Sequence, residues 1–129
     1  MKTSIIFIWI CRILAATIML QTLYFKFSAA EESVFIFTQV GIEPWGRIAT
    51  GIAELIAGCL ILFPKTSVVG ALMAIGIMSG AIISHLFILG IEVKNDGGQL
   101  FIYALLVLAA ASYIFWADKQ QLLKLLSKK

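Results

Sequence analysis

Residues 46–89 read GRIATGIAELIAGCLILFPKTSVVGALMAIGIMSGAIISHLFIL. Two apolar runs lie either side of Pro64 and Lys65. Each is close to the ~20 residues a helix needs to cross a hydrocarbon core about 30 Å thick. Pro44 precedes the first run, where a missing backbone N–H costs nothing, and Pro64 closes it. So short a connection forces the two runs into an antiparallel hairpin. Working outward, a third apolar run covers residues 5–25 and a fourth covers 99–117. The expected fold is an all-α, polytopic membrane protein. Four transmembrane helices form an antiparallel bundle at about 5–25, 46–63, 66–89 and 99–117, in one domain over residues 1–129.

Composition agrees. The chain is 61% apolar and 13% charged, with a mean hydropathy of +1.02, a balance that suits an integral membrane protein and not a soluble domain. A membrane barrel is excluded, since such barrels start at about 8 strands and alternate polar with apolar residues. Lys2 ahead of the first apolar run resembles the start of a signal peptide. That run is too long for one, contains Arg12 and lacks a small-residue cleavage site, so it reads as a retained helix.

The loops set an orientation. With four spans, Lys2, Lys65, Lys119, Lys124, Lys128 and Lys129 share one side, and Lys26, Arg47 and Lys94 share the other with most of the acidic residues. The positive-inside rule then puts both termini in the cytoplasm, in a cytoplasmic or inner membrane. Trp45, Tyr24 and Tyr103 fall near the outer helix ends and Tyr113 and Trp116 near the inner end of the fourth, as interfacial belts require. The net charge of +3 follows from the cytoplasmic bias and gives no reason to expect nucleic acid. The tail, residues 118–129, reads as a basic amphipathic helix on the inner leaflet. Residues 31–40, EESVFIFTQV, read as a short helix against the outer mouth of the bundle, and Gly97 and Gly98 suit a tight turn in the last loop. Small residues on Gly76-x-x-x-Gly80 and on the Gly51/Glu54/Gly58 face are expected to let helices approach closely. Intramolecular packing is the simpler use of such a seam; a homo-oligomer is the other.

The residues that could carry chemistry are the ionisable ones at membrane depth. A charge there is costly unless paired or hydrated, so it marks a site or a structural pin. At about 1.5 Å per residue, Arg12 and Glu54 differ in depth by about 5 Å, within reach of an arginine side chain. An Arg12–Glu54 pair is expected, either pinning helices one and two in register or lining a proton or anion site. Arg47, Thr50 and Glu54 share one helix face and read as a polar path from the outer surface to mid-membrane. His85 falls near the outer boundary of helix three, level with Arg47, Gln99 and Tyr103. A lone histidine makes no metal site, so no bound metal is expected. Its other uses are a hydrogen bond to a ligand carbonyl such as a quinone's, a proton relay, or a satisfied interfacial residue. Cys11 and Cys59 lie at similar depth without a C-x-x-C spacing, and read as small buried apolar residues.

The pattern Arg12-x-x-x-Ala16, Lys26-Phe27, residues 41–47 (GIEPWGR), residues 50–58 (TGIAELIAG), Gly70-Ala71, residues 78–81 (MSGA) and His85 resembles the DoxX-like family of small membrane proteins. The resemblance covers nearly the whole chain. It implies a four-helix membrane fold and an association with membrane redox chemistry, some members serving quinone-linked oxidoreductases and more distant ones acting as assembly factors or chaperones. The resemblance carries the family's polar core over to Arg12, Arg47, Glu54 and His85; with Thr50 on the same face of helix two and Gln99 and Tyr103 level with His85, these seven are the expected ligand-binding residues. The expected ligand is a quinone-like or other apolar molecule, and the expected partner a protein of a redox complex. With no fused domain and no haem or iron–sulfur ligand pattern, an autonomous electron-transfer enzyme is not expected. A non-catalytic assembly factor and a small-solute or proton transporter stand as alternatives.

Overall fold

The computed structural model of the chain describes residues 2–93 and 97–127, with side chains described for 5–93, 97–120 and 123. All regular elements among the described residues are helical: α1 (Lys2–Gln21), α2 (Leu23–Phe27), α3 (Glu31–Val40), α4 (Trp45–Leu62), α5 (Ser67–Ser84), a π-helical turn (His85–Leu89) and α6 (Gln99–Ser127). Four stretches are long and apolar enough to cross a membrane: Ile5–Phe27, Trp45–Leu62, Ser67–Leu89 and Gln99–Gln120. The α1–α2 pair, α4, α5 and α6 pack in a ring, with α1 against both α4 and α6.

Small side chains make that ring tight. Ala15, Ala57, Ala71, Ala74 and Ala111 are fully buried, with Met19, Ile61, Val107 and Ile114 filling the spaces between them. Lipid tails are as apolar as leucine, so close van der Waals packing of small residues is what draws such helices together. Large apolar side chains point outward instead, among them Ile6, Ile10, Ile52, Ile56, Ile83 and Leu105, and these are what a bilayer covers.

The hairpin between α4 and α5 is closed by Thr66, whose Oγ1 donates to the Leu60 and Phe63 carbonyls at the end of α4. Gly70 is the closest approach there. A Cβ on Gly70 would lie 2.8 Å from the backbone O of Ala57 and the backbone N of Ile61. Gly76 and Gly80 do not behave as expected, since a Cβ on either would meet nothing within 4 Å. They line open space, not a helix seam. Gly51 and Gly58 do receive neighbours, Phe27 and Leu20, against their bare faces.

The short helix expected at 31–40 is α3. Glu31 and Glu32 occupy its first turn, where negative charge suits the helix dipole. Gly41, at φ +89°, ends it in the left-handed conformation that glycine adopts most easily. Gly97 and Gly98 also take positive φ; the Lys94 and Asp96 of that loop, and Lys128 and Lys129 of the tail, lie outside the described residues. The tail differs from its expected form as a separate helix. α6 continues unbroken through Ser127, because nothing between Ala117 and Ser127 is a helix breaker.

The π turn was not expected. Ser84 Oγ donates to the Gly80 carbonyl at 2.9 Å and His85 Nδ1 to the Ala81 carbonyl at 2.9 Å. Two successive side chains therefore compete for carbonyls of the helix ladder, the kind of competition that loosens it. At that point the backbone widens, with Gly90 N–H donating to the His85 carbonyl. Such one-turn widenings occur frequently at functional sites.

Candidate functional site: a polar-floored chamber in the bundle

The half of the bundle away from the termini holds a half-open cavity of about 1010 Å³. Every helix contributes to its wall, and α3 lies along it with Ile36 and Phe37. Of the seven residues singled out in the sequence, Thr50, Glu54, His85, Gln99 and Tyr103 line this one space. They come from α4, the π turn and α6, which the chain order alone does not bring together.

Glu54 is 4% exposed. Its partner is Lys26, not Arg12. Lys26 Nζ lies 2.8 Å from Glu54 Oε1 and also reaches Thr22 Oγ1 at 3.3 Å. The lysine descends from α2 along the cavity wall, its aliphatic stem covering apolar surface while its head meets the carboxylate. Lys26 and Thr22 both line the cavity.

Arg12 belongs to a second cluster at the terminal end. Its Nε donates to Ser67 Oγ at 3.1 Å and an Nη to Asp118 Oδ2 at 2.9 Å. Trp9 lies beneath the guanidinium, 4.7 Å from its ring centroid. The side chain thus joins α1, α5 and α6 and leaves none of its reach for α4. The expected Arg12–Glu54 pair is absent for that reason: each charge has a nearer opposite charge.

Arg47 is buried but stands outside the cavity lining. Its Nε donates to both carboxylate oxygens of Glu43, at 3.0 and 3.1 Å, and Nη1 donates to the Lys26 carbonyl. It therefore fixes the backbone that carries Lys26. The polar path expected down α4 begins only at Thr50.

His85 is 5% exposed, and the ring of Phe101 meets it edge-on at 5.6 Å. Its Nε2 is buried with no hydrogen-bond partner among the described residues. Gln99 Nε2 donates to Tyr103 Oη at 2.8 Å. The chamber therefore combines apolar walls with a buried ion pair, one unsatisfied imidazole nitrogen and an amide–phenol pair. Among the lining residues that the sequence reading did not assign to a site are Lys26, Thr22 and Phe37. Lys26 was countable as a charge, but only its position along α2 shows which carboxylate it meets. The cysteines also divide: Cys11 is buried and Cys59 is exposed on the outside of α4, contrary to the expectation that both are buried.

Four membrane-length helices around an internal, partly polar chamber define the class: a small helical membrane protein in contact with the bilayer. The sequence model of the DoxX-like family matches residues 10–112, and the chain belongs to that family. No curated protein and no solved structure matches it.

Proposed function

We propose that the chamber binds one lipophilic molecule with a polar ring, a quinone or its reduced form, and that the chain serves a membrane redox system as a non-autonomous subunit. The observation that carries this reading is the pairing of apolar walls with His85 Nε2, a buried nitrogen that no group among the described residues satisfies. Buried polar groups are ordinarily hydrogen-bonded, and an exception calls for a partner from elsewhere. A pocket of a few hundred to about 1,000 Å³ with few convergent polar groups is the usual form of a small-molecule site.

When bound, a quinone supplies a two-electron carrier that takes up protons on reduction. The chain's own part is to seat it. Gly76 and Gly80 leave bare backbone on one wall, His85 and the Gln99–Tyr103 pair offer hydrogen bonds, and Lys26–Glu54 forms a polar floor. Arg47 acts as a positioning residue through the Lys26 backbone. Arg12, Ser67 and Asp118 act as a pin at the other end. Electrons come from a partner protein, and both termini face the cytoplasm, in a cytoplasmic or inner membrane, in line with the lysine bias of the loops.

The test is mild-detergent extraction followed by mass spectrometry of the co-purifying lipids, in wild type and His85→Ala. A single ring-bearing lipophile retained by the wild type and depleted in the variant supports the proposal. Identical bulk-lipid profiles in both, with unchanged thermal stability, contradict it and favour the assembly-factor alternative, in which the buried polar residues serve only the fold.

A further inference from the structure

His85 Nδ1 lies 2.9 Å from the Ala81 carbonyl oxygen. A carbonyl has no proton to give, so Nδ1 must carry the hydrogen in that bond. In the neutral ring this leaves Nε2 with a lone pair and no hydrogen: it is an acceptor. Nε2 is buried with no hydrogen-bond partner among the described residues, on a side chain that lines the cavity. On the floor, Lys26 Nζ is directed to Glu54 and Thr22. Gly76 and Gly80, one turn apart on α5, leave space on the adjoining wall where a Cβ would touch nothing within 4 Å, room for a flat ring.

We propose that the chamber selects its ligand through a hydroxyl donated to His85 Nε2, so that a phenolic, hydroquinone-type headgroup is held in preference to the matching quinone. This rests on the reading of the chamber as a lipophile site and adds which form it favours. A hydroxyl satisfies the nitrogen's lone pair, whereas a quinone carbonyl would set acceptor against acceptor and leave both groups desolvated and unpaired, the costly arrangement. The backbone bond to Ala81 fixes the tautomer, and with it the sign of the preference.

The experiment uses the full chain in mild detergent under anaerobic conditions. Binding of three probes is measured by titration: a short-chain hydroquinone, its quinone, and the hydroquinone dimethyl ether, which keeps the ring but has no donor. The hydroquinone is expected to bind about tenfold tighter than either of the others, the scale of one hydrogen bond at a buried group. In His85→Ala the three affinities converge. Equal affinities in wild type, or tighter binding of the quinone, overturn this inference while leaving the chamber a lipophile site. A hydroquinone preference that survives His85→Ala overturns the assignment to Nε2. Failure of all three probes to bind overturns the inference together with the proposed function. The wild-type comparison decides by itself if the variant does not fold.

Discussion

Lys26, with its side chain 15% exposed, and Glu54, at 5%, form a largely buried pair. Removing one partner of such a pair leaves an uncompensated charge and typically costs about 3–5 kcal/mol, while replacing both by apolar groups is often near neutral. Lys26→Met is therefore expected to lower thermal stability in detergent sharply, and Lys26→Met with Glu54→Gln to recover most of the loss. A single variant as stable as wild type would show that Glu54 has another partner. The sequence made the cost of these charges legible but not their pairing. Counting rise along helices brought Arg12 and Glu54 to similar depth, yet depth is one coordinate and direction around the helix is the other. Arg12 turns toward Ser67 and Asp118, and its partner Asp118 lies beyond the span expected at 99–117, where it read as part of the tail. His85 was legible as an intramembrane histidine near Gln99 and Tyr103, and those three do line one space. Its hydrogen bond to Ala81, which decides what the ring can accept, exists only once the helix has formed.

At the scale of the helix, glycines with the same sequence appearance do opposite things. The sequence rule that small residues on one helix face mark a seam holds for Gly51 and Gly58, seven apart, and fails for Gly76 and Gly80, four apart, because spacing fixes a face of the helix but not what stands opposite. Gly70→Ala forces a Cβ against the backbone of α4, and overpacking of this kind costs about 1–3 kcal/mol. Gly76→Ala and Gly80→Ala meet only open space and are expected to be neutral or to stabilise by about 0.5–1 kcal/mol, as glycine is a poor helix residue. Thermal unfolding of the three variants side by side checks the contrast; equal destabilisation would mean that α5 packs differently. The helix α3 was legible because acidic residues, an apolar face and a closing glycine agree within ten residues. The π turn was not, since Ser84 and His85 disturb the ladder through bonds that composition does not announce.

For the whole molecule, four membrane-length apolar runs with short connections leave few ways to pack, which is why the bundle was readable from hydropathy alone. The chamber was not, because its volume depends on how far the ring of helices stands open at one end. With both termini proposed on the cytoplasmic side, an activity reporter fused after Lys129 is expected to report cytoplasmic exposure, and a fusion in the residue 92–98 loop the opposite; the reverse pattern would invert the topology. The most direct test of the account is native mass spectrometry of the intact chain released from mild detergent, comparing wild type, Gly80→Leu and the outward-facing control Cys59→Ser. The account predicts a mass increment of one lipophilic molecule per chain in wild type and Cys59→Ser, depleted in Gly80→Leu, whose side chain enters the chamber from a wall where a Cβ meets nothing within 4 Å while the bundle stays folded. A folded wild-type chain with no such increment, or one that Gly80→Leu retains undiminished, would contradict it.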